Sequence, residues 1–179
     1  MTTIPTTMRA AVTRAWNDIQ IEQVPVPELE PGEALVRVGA CGICATDLKI
    51  VSGGYPGVWP PALPFIQGHE WAGTVVALGE GASGVKVGDR IAAENHKGCG
   101  ACAMCRRGRY NLCEVARTKG KAYKLYGHSA QGAFAEYASP VCASPSGFAP
   151  GIWNVRLLSG TDWQLGRIPP GSTHHLRSL

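Results

Sequence analysis

Residues Cys99–Cys113 read CGACAMCRRGRYNLC, four cysteines in fifteen positions. No other stretch constrains the fold so tightly. Side chains that must meet at one point from so short a segment force the backbone into successive turns, so this part of the chain is expected to be a loop-built lobe. The spacing is C-x2-C-x2-C-x7-C. Disulfides, an iron–sulfur cluster and zinc compete for it. The N-terminus, MTTIPTTMRAAV, has neither the basic segment nor the apolar core of a secretory leader. A cytoplasmic location is therefore expected, where thiols stay reduced and disulfides recede. Bacterial ferredoxins share the first three-cysteine spacing, but their fourth cysteine follows three residues later and precedes proline. Here seven residues intervene and Glu114 follows. A zinc ribbon would need two separated pairs. The expectation is one structural zinc ion held tetrahedrally by Cys99, Cys102, Cys105 and Cys113 through bonds of about 2.3 Å. Such a centre carries a formal charge of about −2, which Arg106, Arg107 and Arg109 lie near enough in sequence to offset.

The remainder reads as short strands. The 179 residues suffice for one domain of ordinary size, and a hydrophobic fraction of 45% can build its core. The 23 glycines and 13 prolines punctuate the chain too often for long helices. Met8–Trp16 and Asp18–Val26 are predicted strands joined by a turn at Asn17-Asp18. Ala34–Ala40, Trp71–Leu78, Asp89–Glu94 and Phe134–Ala138 are further strands, and Cys44–Val51 is a short helix. The fold class is mainly β, a barrel or sandwich with small helical inserts. A net charge of +4 makes no case for nucleic-acid binding. No apolar run is long enough to span a membrane.

Two upstream segments, CGICATDLK (Cys41–Lys49) and GHEWAGTVVALGEGASGVKVGDRI (Gly68–Ile91), precede the cysteine cluster. Together the three resemble, in order, motifs of the zinc-dependent medium-chain alcohol and polyol dehydrogenases, within their N-terminal GroES-like catalytic domain. The resemblance covers residues 8–138. It implies a GroES-like partial β-barrel with a zinc-bearing lobe. It also implies that Cys44 and His69 are ligands of a catalytic zinc, with Glu70 a direct or exchangeable third. By the same resemblance Thr46 relays the substrate proton and Asp47 orients the histidine from behind. Lys49 stands where many members of the family have a histidine that extends the relay. Cys41 precedes Cys44 by three residues, so the pair also fits a redox C-x-x-C; Cys44 as ligand with Cys41 a bystander is the favoured reading. Tyr55, Trp59 and Phe65 either line a substrate pocket or pack in the core.

The cofactor implied is NAD(P), since zinc is not redox-active. Gly79–Gly84, GEGASG, matches G-x-G-x-x-G, yet VKVGDRI follows it with no helical pattern. It is expected to be a turn between strands. Members of the family carry a Rossmann domain that supplies most of the NAD(P) site; no further fingerprint for one occurs here. The expectation is a fragment of a dehydrogenase acting on a small alcohol or polyol. It would have no independent activity and no NAD(P) binding of its own, and would self-associate through the exposed cleft surface. The alternative is a non-catalytic zinc-binding or interaction module. Residues 139–179 are expected to be a poorly ordered tail foreign to the family. They are rich in Ser, Pro and Gly, with Asp162 the sole acid, as a shifted reading frame or retained intron would give. The coding DNA tests that origin. Cys142 and Asp162 fall in this segment and match no motif.

Overall fold

The structure is a computed structural model that describes residues 3–96, 98–99, 102–107, 109–115, 125–139 and the backbone of 152–154. The described residues form eight strands and two short helices: β1 (Thr7–Ala15), β2 (Asp18–Pro25), β3 (Ala34–Cys41), α1 (Ala45–Val51), β4 (Phe65–Ile66), β5 (Trp71–Leu78), β6 (Arg90–Ala93), α2 (Ala103–Arg106), β7 (Tyr137–Ala138) and β8 (Ile152–Asn154). They assemble into a three-stranded sheet, β2-β1-β4, and a five-stranded sheet, β7-β3-β5-β6-β8. Every described pairing between strands is antiparallel. The two sheets do not close into a full barrel; a single bridge, Ala10 to Ala135, links their edges.

Alternation explains which face each strand buries. Along β1, Met8, Ala10 and Val12 point inward while Thr7 and Arg9 are exposed, the period of two that a one-sided sheet requires. Along β5, Trp71 and Val75 enter a cluster with Ala34, Val36, Ile91, Ala133 and Ala138. Asn17 turns the β1–β2 hairpin with φ of 61°, a left-handed conformation that asparagine tolerates better than most residues. GEGASG is a loop: Gly79 N–H donates to the Glu33 carbonyl, and the next regular element is β6. The last strand predicted before Ser139 is shorter than expected. Tyr137–Ala138 pair with β3, while Ala135 makes only the isolated bridge.

The segment after β7 is not all irregular. Ile152–Asn154 add a strand to the outer edge of β6. The rest of the expected tail after Ser139, Cys142 and Asp162 included, lies outside the described residues.

What positions the chemistry is the way residues 125–134 back onto residues 66–69. Gly132 N–H donates to the Ile66 carbonyl, Ala133 N–H to the Gly68 carbonyl and Phe134 N–H to the Gln67 carbonyl, at 2.8–2.9 Å. Gly68 has φ of +94°, and a Cβ there would stand 2.7 Å from Phe134 Cδ1 and 2.8 Å from both Cys41 Sγ and Phe134 N. Only glycine passes this crossing, and the residue it delivers is His69.

Candidate metal centres

Helix α1 begins on Cys44. The Thr46 N–H donates to Cys44 Sγ at 3.4 Å, and the Cys44 N–H donates to Asp47 Oδ2 at 2.8 Å. This reciprocal arrangement is a capping box, with a thiol where serine usually stands. It fixes the Cys44 sulfur at the start of the helix. The other Asp47 oxygen, Oδ1, faces His69 Nδ1 at 3.3 Å. That is an ion-pair approach short of an aligned hydrogen bond, and neither atom has a hydrogen-bond partner among the described residues. Asp47 is 2% exposed and His69 8%. With Nδ1 turned to the carboxylate, Nε2 is the nitrogen left to the site. Glu70 Oε1 lies 4.0 Å from it. One donor atom from each of Cys44, His69 and Glu70 falls within 4.8 Å of the others, a group able to hold a metal ion.

The donor set fits zinc: a thiolate, an imidazole and a carboxylate, with the fourth tetrahedral position left open. The orphaned Asp47–His69 pair fits as well. A cation at Nε2 makes the Nδ1–H a stronger donor to Asp47 Oδ1, the carboxylate oxygen that otherwise sits buried without a bond. Cys41 behaves differently from Cys44. Burial, and then the negative charge of Asp47, push its thiol up to about 12. A thiol that stays protonated at neutral pH is a poor nucleophile, which disfavours a redox Cys41/Cys44 pair.

The second cluster is the lobe. Cys99, Cys102, Cys105 and Cys113 each offer a sulfur within 4.8 Å of the others. The Cys99–Cys105 and Cys102–Cys113 sulfurs are 4.0 Å apart. Four bonds of about 2.3 Å to one tetrahedral ion put sulfurs about 3.8 Å apart, whereas a disulfide needs about 2.05 Å. A cubane cluster would hold its thiolates farther apart, each on its own iron. Backbone N–H groups support the sulfurs: Cys102 N–H donates to Cys99 Sγ, Cys105 N–H to Cys102 Sγ and Cys99 N–H to Cys113 Sγ, at 3.3–3.4 Å. The bond from Cys105 N–H is the main reason the Cys102 thiol drops to about 6. Cys105 and Cys113 are fully buried, while Arg106, Arg107 and Arg109 are exposed.

Sequence reasoning did not single out His128. It is buried, its ring centroid 4.3 Å from that of His69 and 4.7 Å from that of Trp59. Tyr55 packs edge-on against Trp59 at 5.2 Å, so a chain of ring contacts runs from Tyr55 through Trp59 and His128 to His69. Phe65 does not join them; it is a buried residue of β4 paired with β1. Burial is the chief cause holding the His128 pKa below the usual histidine value. A lone histidine in a turn carries no spacing signal. The hint was its place, one residue after Gly127 in the segment that ends in FAEYA.

Residues 30–141 match the model of the alcohol dehydrogenase GroES-like domain. The chain belongs to this family. Among curated relatives of this GroES-like domain, sorbitol dehydrogenase of Bombyx mori is 44% identical over 108 residues, which is 60% of this chain and 31% of the relative. Among solved structures, acetophenone reductase from Geotrichum candidum in complex with NAD superposes with a TM-score of 0.70 at 29% identity, covering 89% of this chain and 43% of that one. A cobalt- and zinc-bound thermostable alcohol dehydrogenase from Pyrobaculum aerophilum gives 0.64 at 34% identity, covering 75% and 39%. The chain thus spans about a third of the length of the curated relatives it matches.

Proposed function

We propose that this GroES-like chain is the metal-binding catalytic domain of a zinc-dependent alcohol or polyol dehydrogenase. Cys44, His69 and Glu70 hold the catalytic zinc, and Cys99, Cys102, Cys105 and Cys113 hold a structural one. The observation that carries the reading is the convergence of Cys44, His69 and Glu70 within 4.8 Å. Bound there, zinc supplies a Lewis acid that lowers the pKa of an alcohol hydroxyl. The chain's own residues do the rest. Asp47 fixes the His69 ring from behind. The Thr46 hydroxyl accepts the substrate proton and hands it towards solvent. Trp59 and Tyr55 narrow the space in which the alcohol sits. The four-thiolate centre takes no part, because it has no open position.

Alcohol oxidation also needs a hydride acceptor, which zinc cannot be. Among the described residues no glycine-rich loop opens a helix, so tight NAD(P)H binding is not expected of this chain. Among the described residues the six cysteines are free rather than disulfide-bonded, which is in keeping with a cytoplasmic location. No helix among the described residues is long and apolar enough to cross a membrane.

Metal analysis and an NADH titration test the reading together. The wild-type chain should hold about two zinc ions and His69→Ala about one, with no micromolar NADH binding in either. Full zinc content in His69→Ala would refute the catalytic site. One zinc in both would favour a non-catalytic zinc-binding module. Micromolar NADH binding with alcohol-dependent turnover would show that the chain acts alone. Asp47→Asn should keep the shape of the helix cap yet weaken metal binding at Cys44 and His69 by about 10–100-fold, read by competition with a chelator. Unchanged affinity would remove Asp47 from the site.

One surface favours self-association. Ile21 and Ile43 are 71% and 76% exposed and, with Ile19, Ala11 and Phe134, line an apolar groove. Contiguous apolar surface of this kind promotes contact between molecules. Ile21→Glu should shift the chain towards monomer in light scattering. A wild type that is already a monodisperse monomer at high concentration would count against it.

A further inference from the structure

We infer that the free edge of β2 is a self-pairing surface: β2 of two copies of the chain joins antiparallel about a two-fold axis at Ile21, fusing their three-stranded sheets into one. The inference takes up the self-association proposed above and gives it a geometry, one that rests on backbone groups rather than on the apolar groove alone.

β2 is the outer strand of the sheet β2-β1-β4, and among the described residues it pairs with β1 only. The direction of its backbone groups follows from its neighbours. Val26 N–H donates to the Thr6 carbonyl across the β1–β2 ladder. Arg9 and Ala11 turn their N–H groups the other way, to the Glu136 carboxylate and the Phe134 carbonyl. Alternation along an antiparallel ladder then points Gln20, Glu22 and Val24 at β1, and Ile19, Ile21 and Gln23 at the open edge. Edges of this kind are usually blunted by lysine, proline or a bulge. β2 has no lysine, its proline is its last residue, and its register with β1 slips only beside the turn, between Thr13 and Ala15.

The residue pattern selects one register. Residues that point outward must face residues that point outward, so the two-fold axis of a symmetric pair falls on a residue and not between two. Centred on Ile21, that residue faces its own copy and Ile19 faces Gln23, so Ile19, Ile21 and Gln23 each exchange both bonds. The acids Asp18 and Glu22 then fall opposite Val24 and Gln20. Centred on Gln20, Asp18 would face Glu22. Centred on Glu22, that carboxylate would face its own copy, and Ile19 would face Pro25, which has no N–H to give. Like charges directly opposed are destabilising. Glu22 is in addition engaged by Arg14 of its own chain. A two-fold axis perpendicular to the sheet keeps each face on its own side. Exposed Ile19 and Ile21 of both copies therefore share one face, and the apolar grooves they line meet across the axis. A contact one strand wide is small, so the pairing depends on concentration.

Amide hydrogen exchange of the whole chain, followed across the concentrations over which light scattering shows monomer passing to dimer, tests the pairing. The amides of Ile19, Ile21 and Gln23 should slow about tenfold or more as the dimer fills. Those of Glu22 and Val24, already bonded to β1, should change far less. Ile21→Pro removes an N–H on the open side of an edge strand, a place where proline is tolerated. It should weaken the dimer about tenfold or more while the circular dichroism stays native. Ile43→Glu charges the groove, leaves the edge intact and should weaken the dimer less. A dimer in which Ile19, Ile21 and Gln23 exchange as fast as in the monomer would overturn the strand pairing and leave association through the groove standing. So would a larger loss in Ile43→Glu than in Ile21→Pro. A monodisperse monomer at high concentration would overturn both. If Ile21→Pro fails to fold, the exchange pattern of the wild type decides alone.

Discussion

Cys113→Ser is expected to strip about one zinc ion from each chain and to unfold the lobe around Cys99–Cys113 while the two sheets persist. Cys113 is fully buried, and its sulfur accepts the Cys99 N–H at 3.4 Å and lies 4.0 Å from Cys102 Sγ. A serine hydroxyl keeps its proton at neutral pH and makes a poor partner for a soft thiolate-bound ion. The stakes are large because little else holds the lobe. Its regular structure among the described residues is the four-residue α2 and a three-residue 3-10 turn at Tyr110–Leu112. In small zinc modules metal binding supplies about 10–16 kcal/mol of apparent free energy, far more than such short elements contribute. Metal content and amide exchange over the lobe measure the outcome. Full zinc retention with native protection would show that the cluster is not a metal site.

Gly68→Ala is expected to lower the stability of the folded chain by about 2–5 kcal/mol, the sum of a left-handed backbone penalty and overpacking. One of the three atoms a Cβ would meet is backbone with no freedom to yield, and a second belongs to a residue held in a strand. Phe134 N is committed to the Gln67 carbonyl at 2.9 Å. Cys41 sits at the end of β3, paired with Trp71. Gly57→Ala is the matched control: φ is +69° there, and nothing lies within 4 Å of the added methyl. It should cost about 1–2 kcal/mol, the backbone penalty alone. Denaturant midpoints of the two variants separate the contributions. If they coincide, the crossing of residues 66–69 with 132–134 is looser than the distances require.

Much of this was legible in the sequence, for physical reasons that differ by element. β5 was read to the residue because Trp71–Leu78 alternates between turn-forming neighbours. β2 and β3 differ by a residue at one end and β1 by a residue at both, where hydrogen bonding rather than side-chain pattern sets the limit. β4 was missed: two residues after a proline-rich stretch carry no periodicity, and Phe65 and Ile66 pair with β1 through tertiary contact alone. β8 was missed because an edge strand of three residues takes its order from β6. At the site, Cys44, His69, Glu70 and Asp47 stood out through motif spacing, and the fold brings them together. His128 had no such spacing. Only the return of residues 125–134 across Gly68 makes it a neighbour of His69.

The four thiols of the lobe come from fifteen successive residues, whereas Cys44 and His69 meet only after α1, β4 and the segment at Phe134 have been assembled. Short loops close at little entropic cost; distant contacts wait for the fold. The two centres should therefore fill in sequence. On the proposed reading, a nascent or unfolded chain would capture one ion at the lobe, and the second would be taken up only by a folded one. Under scarce zinc the population would be folded and stapled with its second centre empty, so metal supply rather than folding would set the fraction with both centres filled.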